Sequence, residues 1–161
     1  MSTESYTARD LLRHTLATLA YRGGKTLREA GPDFASFRAG EKTRTPLEIL
    51  SHLGDLLEWS LSIAKGKEEW KKVDLGSWAQ EVERFFASLK AFDEYLESNE
   101  PLCCAPQKLL QAPIADALTH VGQLAMLRGL AGNPIRGENY FVAEIEAGRV
   151  GREQAAPNFE F

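Results

Sequence analysis

The chain has 161 residues, of which 43% are apolar and 26% charged, with a formal net charge of −4. That length suits one soluble domain, residues 1–161, with a core that buries about two-thirds of the unfolded surface. The mild negative charge argues against nucleic acid or an anionic membrane as a partner, and no apolar run approaches the ~20 residues of a membrane span.

Met1 to Tyr6 has neither a basic start nor an apolar stretch, so it does not read as a secretory signal. From about Thr7 to Arg28, Leu11, Leu12, Thr15, Leu16, Leu19 and Leu27 recur at helical spacing and predict a first helix, which also carries His14. Within it, Gly23-Gly24 marks a close helix contact or a bend. Gly31 to Arg44 reads as a loop with Phe34 and Phe37 as anchors onto the core. The second helix has a clear start: Thr45 suits the N-cap, Pro46 the first turn, and Glu48 completes a capping box. Ile49, Leu50, Leu53, Leu56, Leu57, Leu61 and Ile63 supply its apolar face, and Gly66 suits the left-handed cap that ends it near Lys65.

Lys67 to Gly76 is a polar connection, after which Ser77 caps a third helix with Gln80 as its capping-box partner. Val82, Phe85, Phe86, Leu89, Phe92 and Leu96 form its stripe, and it stops before Pro101. The only cysteines, Cys103 and Cys104, are adjacent; they read as two reduced thiols near a helix end, which makes the cytoplasm the default location. A fourth helix begins after Pro106, or restarts at Pro113, and runs to Ala131, packed by Ile114, Ala117, Leu118, Val121, Leu124, Leu127 and Leu130. The tail, Ile135 to Phe161, holds one short helix around Tyr140 to Ala147 and otherwise lies irregularly over the rest. Four long amphipathic segments without a strand pattern predict an all-α four-helix bundle over about residues 7–134. Trp59, Trp70 and Trp78 read as core or loop anchors within it.

The chemistry concentrates on the second and fourth helices. Asp116 and His120 are four residues apart, which places both on one helix face roughly 6 Å apart. A carboxylate and an imidazole there, joined by His52 from the facing helix, form a candidate two-histidine, one-carboxylate metal site. Each residue alone is ordinary: a histidine on an apolar face is usually a satisfied core or boundary residue, and, if the helix restarts at Pro113, an aspartate about one turn on complements the helix dipole. Gly54 and Gly122, each two residues past its histidine, mark close packing or open space at that level. A metal on His52, Asp116 and His120 keeps open positions for water or substrate. Gln123 can orient a ligand, Asp55 can orient His52 or replace it, and His14 can serve as a fourth ligand, a pocket wall or a proton carrier.

Thr45-Pro-Leu-Glu-Ile-Leu-Ser-His-Leu-Gly-Asp55 and Thr119-His-Val-Gly-Gln-Leu-Ala-Met-Leu-Arg-Gly-Leu-Ala-Gly-Asn-Pro134 together resemble the DinB-like superfamily of metal-binding bundles, over roughly Thr7 to Pro134. The resemblance implies a left-handed, up-up-down-down-like bundle, often dimeric. It also implies a divalent metal (zinc, nickel, iron or manganese) held by a histidine of the second helix and a His-x-x-x-His pair of the fourth. His52 and His120 match the first and last of these, while Asp116 stands where the middle histidine would be. Some relatives transfer groups to low-molecular-weight thiols. The reading is therefore a metal-dependent transferase or hydrolase acting on a small molecule, with His14 or Gln123 assisting the metal. The rival is a non-catalytic, stress-linked binding or dimerisation bundle with a vestigial site.

Overall fold

The computed structural model describes residues 6–31 and 33–161, so the N-terminal segment discussed for its lack of a leader lies mostly outside them. Three helices, α1 (Ala8–Leu27), α2 (Pro46–Ala64) and α3 (Trp78–Glu97), precede a segmented fourth: α4 (Pro106–Leu109), a π-helical turn (Leu110–Ile114) and α5 (Ala115–Leu130). Among the described residues there is no strand, only one isolated bridge between Glu138 and Glu160, and no helix is long and apolar enough to cross a membrane.

Each long helix starts where its side chains can satisfy free amides. Thr7 with Asp10, Thr45 with Glu48, and Ser77 with Gln80 all form reciprocal capping boxes. Pro113 explains why the fourth helix is segmented. Proline has no N–H to donate and its ring crowds the preceding turn, and widening that turn to π geometry accommodates both without ending the helix. The helix does not restart there, so Asp116 does not sit at a free helix end and the dipole does not account for it.

The four helices enclose one core that includes Leu16, Leu50, Leu53, Phe85, Leu89, Phe92 and Leu124. Arg13 of α1 binds Asp93 of α3 at 3.0 Å, and Gly23 farther along α1 abuts Phe85, so these helices are antiparallel. Helices α2 and α3 are parallel: Arg84 binds Asp55 near the middle of α2 at 2.6 Å, and Tyr95 reaches the Ala64 carbonyl at its end. Helix α5 runs with α1, as Val121 lies near Gly23 and Arg128 donates to the Thr26 carbonyl. The directions are therefore up-down-down-up, in place of the expected up-up-down-down order. Hydrophobic periodicity shows a helix's buried face but not its direction. The connection decides it: α2 is about 28 Å long, and the residues between Ala64 and Trp78 can span about 43 Å, enough to run back along the bundle.

Arg84 is the polar node between α2 and α3. Its guanidinium donates to Asp55, Glu58 and the Ser51 carbonyl, and also faces Glu81. Burial works against its charge, but the bonds to Glu58 and Asp55 outweigh it and hold the pKa above the usual arginine value. Gly54 makes this seat possible, since a Cβ there would lie 2.9 Å from the guanidinium carbon. Gly122 differs: a Cβ would meet nothing within 4 Å, so it marks open space and no close packing. Gly23 is a close helix contact, 2.8 Å from added Cβ to the Phe85 ring.

The tail folds back on α1. Lys25 binds Glu138 at 2.6 Å and Glu160 at 2.7 Å, and the Tyr21 hydroxyl donates to Glu138 at 2.5 Å. The short helix expected over Tyr140 to Ala147 is only a 3₁₀ turn, Tyr140–Val142. Between Val142 and Ala147 only Ala143 and Ile145 are partly covered, so that stretch has no continuous apolar face to hold a longer helix down.

Three outcomes are expected in chemical denaturation. Gly23→Ala is expected to destabilise the fold by about 1–3 kcal/mol through overpacking against Phe85, whereas Gly122→Ala is expected to stabilise it by about 0.5–1 kcal/mol, because alanine is the better helix former in open space. Arg84→Met is expected to cost about 3–5 kcal/mol, since it leaves the buried Asp55 and Glu81 carboxylates without their cation.

Candidate metal centre

His52 projects from α2 and Asp116 and His120 from α5, at the seam where these antiparallel helices pack. His52 Nε2 lies 3.8 Å from Asp116 Oδ2, and His120 Nε2 lies 3.4 Å from Asp116 Oδ1. The two imidazole rings stand edge to face, with centroids 4.8 Å apart. One donor atom from each residue falls within 4.8 Å of the others, and these are the residues sequence reasoning had joined.

The protonation pattern suits ligation. His120 Nδ1 is 2.7 Å from the Gln123 Oε1 oxygen, which can only accept. With Nδ1 engaged by Gln123, Nε2 is the ring nitrogen turned toward Asp116. Burial pushes the His52 imidazole below the usual histidine range; His120 and Arg44 push the same way, against Asp116 and Asp55. His52 is thus neutral at pH 7, the form that binds a metal. The side chains of His120 and His52 are 11% and 22% exposed and that of Asp116 is 48% exposed, so the carboxylate forms the open side of the group.

Ligands about 2.0–2.2 Å from a zinc-like ion lie about 3–3.5 Å from one another. The His120–Asp116 pair already has that spacing, and His52 lies 3.8 Å from Asp116. Two imidazole nitrogens and a carboxylate oxygen fit zinc, iron, nickel or manganese, with the carboxylate favouring the harder ions. The group can hold a metal ion.

The remaining expected participants divide. Gln123 is at the site, bonded to His120. His14 is on α1, diagonal to α2, and is not among the residues lining the cavities beside His52. Asp55 is spent on Arg84 and does not orient His52 by hydrogen bond. Cys103 and Cys104 are free thiols at the far end of α2, where the Cys103 amide bonds the Ala64 carbonyl.

The sequence reading did not place two residues at the site. Arg44 lines both cavities that flank His52; its position just before the α2 N-cap was the available signal. Trp70, from the returning connection, packs its ring 5.8 Å from His52 and 5.5 Å from Trp59. It is a loop anchor as expected, but no local pattern shows that it anchors onto the histidine. One cavity, of about 610 Å³, opens over His52, Asp116, His120 and Gln123 and is walled by Ile49, Met126, Leu127 and Leu130. The other, of about 650 Å³, lies beneath the connection, between Ser51, Asp55 and Trp70 to Leu75.

Comparison with protein-family models, with characterised proteins and with solved structures finds no match to this chain.

In a zinc competition titration against a chromophoric chelator, Gln123→Leu is expected to lower affinity about 10- to 100-fold by releasing the His120 ring. His14→Ala is expected to leave it unchanged.

Proposed function

We propose that this is a DinB-like, divalent-metal-dependent cytoplasmic enzyme whose ion is held by His52, Asp116 and His120. The observation that carries the reading is the convergence of three matched donors from two helices on the floor of a cleft open to solvent. A vestigial or purely structural cluster would be expected to be sealed. Here the most exposed ligand faces a cavity within the size range of small-molecule sites. The sequence resemblance of the second and fourth helices points the same way and also suggests a homodimer.

When bound, such an ion supplies a Lewis acid that makes a thiol or water beside it more acidic. The chain's own part is positional. Gln123 bonds the His120 ring, Trp70 packs against His52 and is backed by Trp59, and Asp116 leaves the cleft side of the group accessible. The reaction is transfer to a small thiol, or hydrolysis, as the sequence resemblance suggests; the cavity that holds all three residues has room for a small molecule beside them.

Protein purified without a histidine tag is expected to carry close to one equivalent of a divalent transition metal by elemental analysis. His52→Ala and His120→Ala should both lose it, and Asp116→His should retain it. A wild-type protein with no stoichiometric metal overturns the reading.

A further inference from the structure

The cleft over the candidate centre is chemically divided. One end holds His52, Asp116, His120 and Gln123; the wall is Ile49, Met126, Leu127 and Leu130; the lip carries Arg44. Met126 and Leu130 are 61% and 60% exposed, although they are large and apolar. They are four residues apart on α5 and so form one ridge along the cleft. A methionine and a leucine kept in water beside a polar site are suited to an apolar ligand surface.

Other arginines of the bundle are engaged: Arg13, Arg38 and Arg84 are ion-paired to Asp93, Glu48 and Asp55, Arg9 and Arg128 donate to backbone carbonyls, and Arg22 lies over the Tyr140 ring. Arg44 has no ion-pair partner among the described residues, although it lines two cavities. Glu48, in the first turn of the helix that follows, feels the Arg44 charge but is bonded elsewhere: its Oε2 accepts from the Thr45 amide at 2.6 Å and faces Arg38 at 3.6 Å. A guanidinium fork without a bonded carboxylate at the mouth of a cleft is a receptor for a carboxylate or a similar planar anion.

We propose that the cleft selects a small amphiphilic anion, with its carboxylate-like group on Arg44, its apolar body along Met126, Leu127 and Leu130, and its far end at the His52, Asp116 and His120 group. This substrate class rests on reading that group as the reactive centre, but recognition of the anion does not depend on a metal being bound. Arg44 is then a binding and specificity residue. A ligand with a cationic head group is rejected at the same lip.

The test uses the full chain with hexanoate, hexylamine and hexanol as probes, followed by chemical-shift perturbation, once in chelator and once with one equivalent of zinc. Hexanoate is expected to bind in both states, and hexylamine about tenfold or more weakly, the range for losing a charge-assisted hydrogen bond. Arg44→Met is expected to weaken hexanoate by about tenfold or more and leave hexanol unchanged, while Arg44→Lys restores part of the difference. Leu130→Gln should weaken hexanoate and hexanol alike. Arg44 is exposed, so these variants do not disturb the core, and unchanged thermal melts would confirm it. Equal hexanoate affinity in wild type and Arg44→Met overturns the proposal. So does hexanoate binding that appears only with zinc and ignores Arg44; the anion would then sit on the metal, and the metal reading would survive. Arg44-dependent binding by a protein that takes up no zinc has the opposite meaning: the anion lip stands and the metal centre falls.

Discussion

The seating of Arg84 over Gly54 fixes the rest of the molecule. It draws α3 alongside α2 in parallel and gives four polar groups of α2 and α3 one shared cation. With Gly54, Asp55, Ser51 and Glu58 turned toward α3, the rotation of α2 about its axis is set. Gly54 follows His52 by two residues, about 200° around the helix, so the same rotation points His52 away from the clamp and toward α5. A buried charge cluster of this kind adds little net stability, because desolvation offsets much of the attraction. What it does here is choose one register out of several that would bury the leucines equally well.

The parallel pairing has a second consequence. The chain must travel back along the bundle before α3 can begin, and its path passes the outer side of His52. Trp70 therefore closes one side of the histidine, and the cavity beneath the connection exists because the connection exists. Opposite it, the antiparallel packing of α2 on α5 brings Asp116 and His120 level with His52. The π turn around Pro113 lets the helix continue into that packing, so both α5 ligands stand on rigid, uninterrupted helix. The centre is thus framed by two long helices and one loop, with its mobile-looking polar groups held by fixed neighbours: Gln123 on His120, and Trp70 on His52.

The far end of α1 is held by a different device. Arg128 of α5 is buried without a carboxylate partner and donates to the carbonyls of Thr26, Arg28 and Asn133. Burial lowers its pKa, but its fork satisfies carbonyls that the end of α1 leaves open, where the helix dipole favours a cation. Lys25 does the corresponding work for the tail by gathering Glu138 and Glu160. These contacts tie the segments flanking the bundle to α1 and leave the α2–α5 seam as its open side.

Much of this was legible in the residues. Thr45-Pro46 with Glu48, and Ser77 with Gln80, specify helix starts through local hydrogen bonds that need no distant partner, and those starts are where they were expected. The leucine and phenylalanine stripes identify which faces are buried, except that Leu11 and Leu130, at the ends of their helices, are exposed; the i, i+4 step of Asp116 and His120 fixes their separation whatever else happens. Other features depend on which segments meet. Helix direction, the return of Trp70 to His52, the commitment of Asp55 to Arg84, the placing of His14 away from the site, and the different meanings of Gly54 and Gly122 all follow from contacts between residues far apart in the chain. The sequence by itself determined the helices, their caps and the candidate ligands, because those follow from forces acting within a few residues. Only the tertiary structure decided which ligands face one another and what surrounds them, because helix direction and rotation are set by side chains that meet only after the bundle has closed.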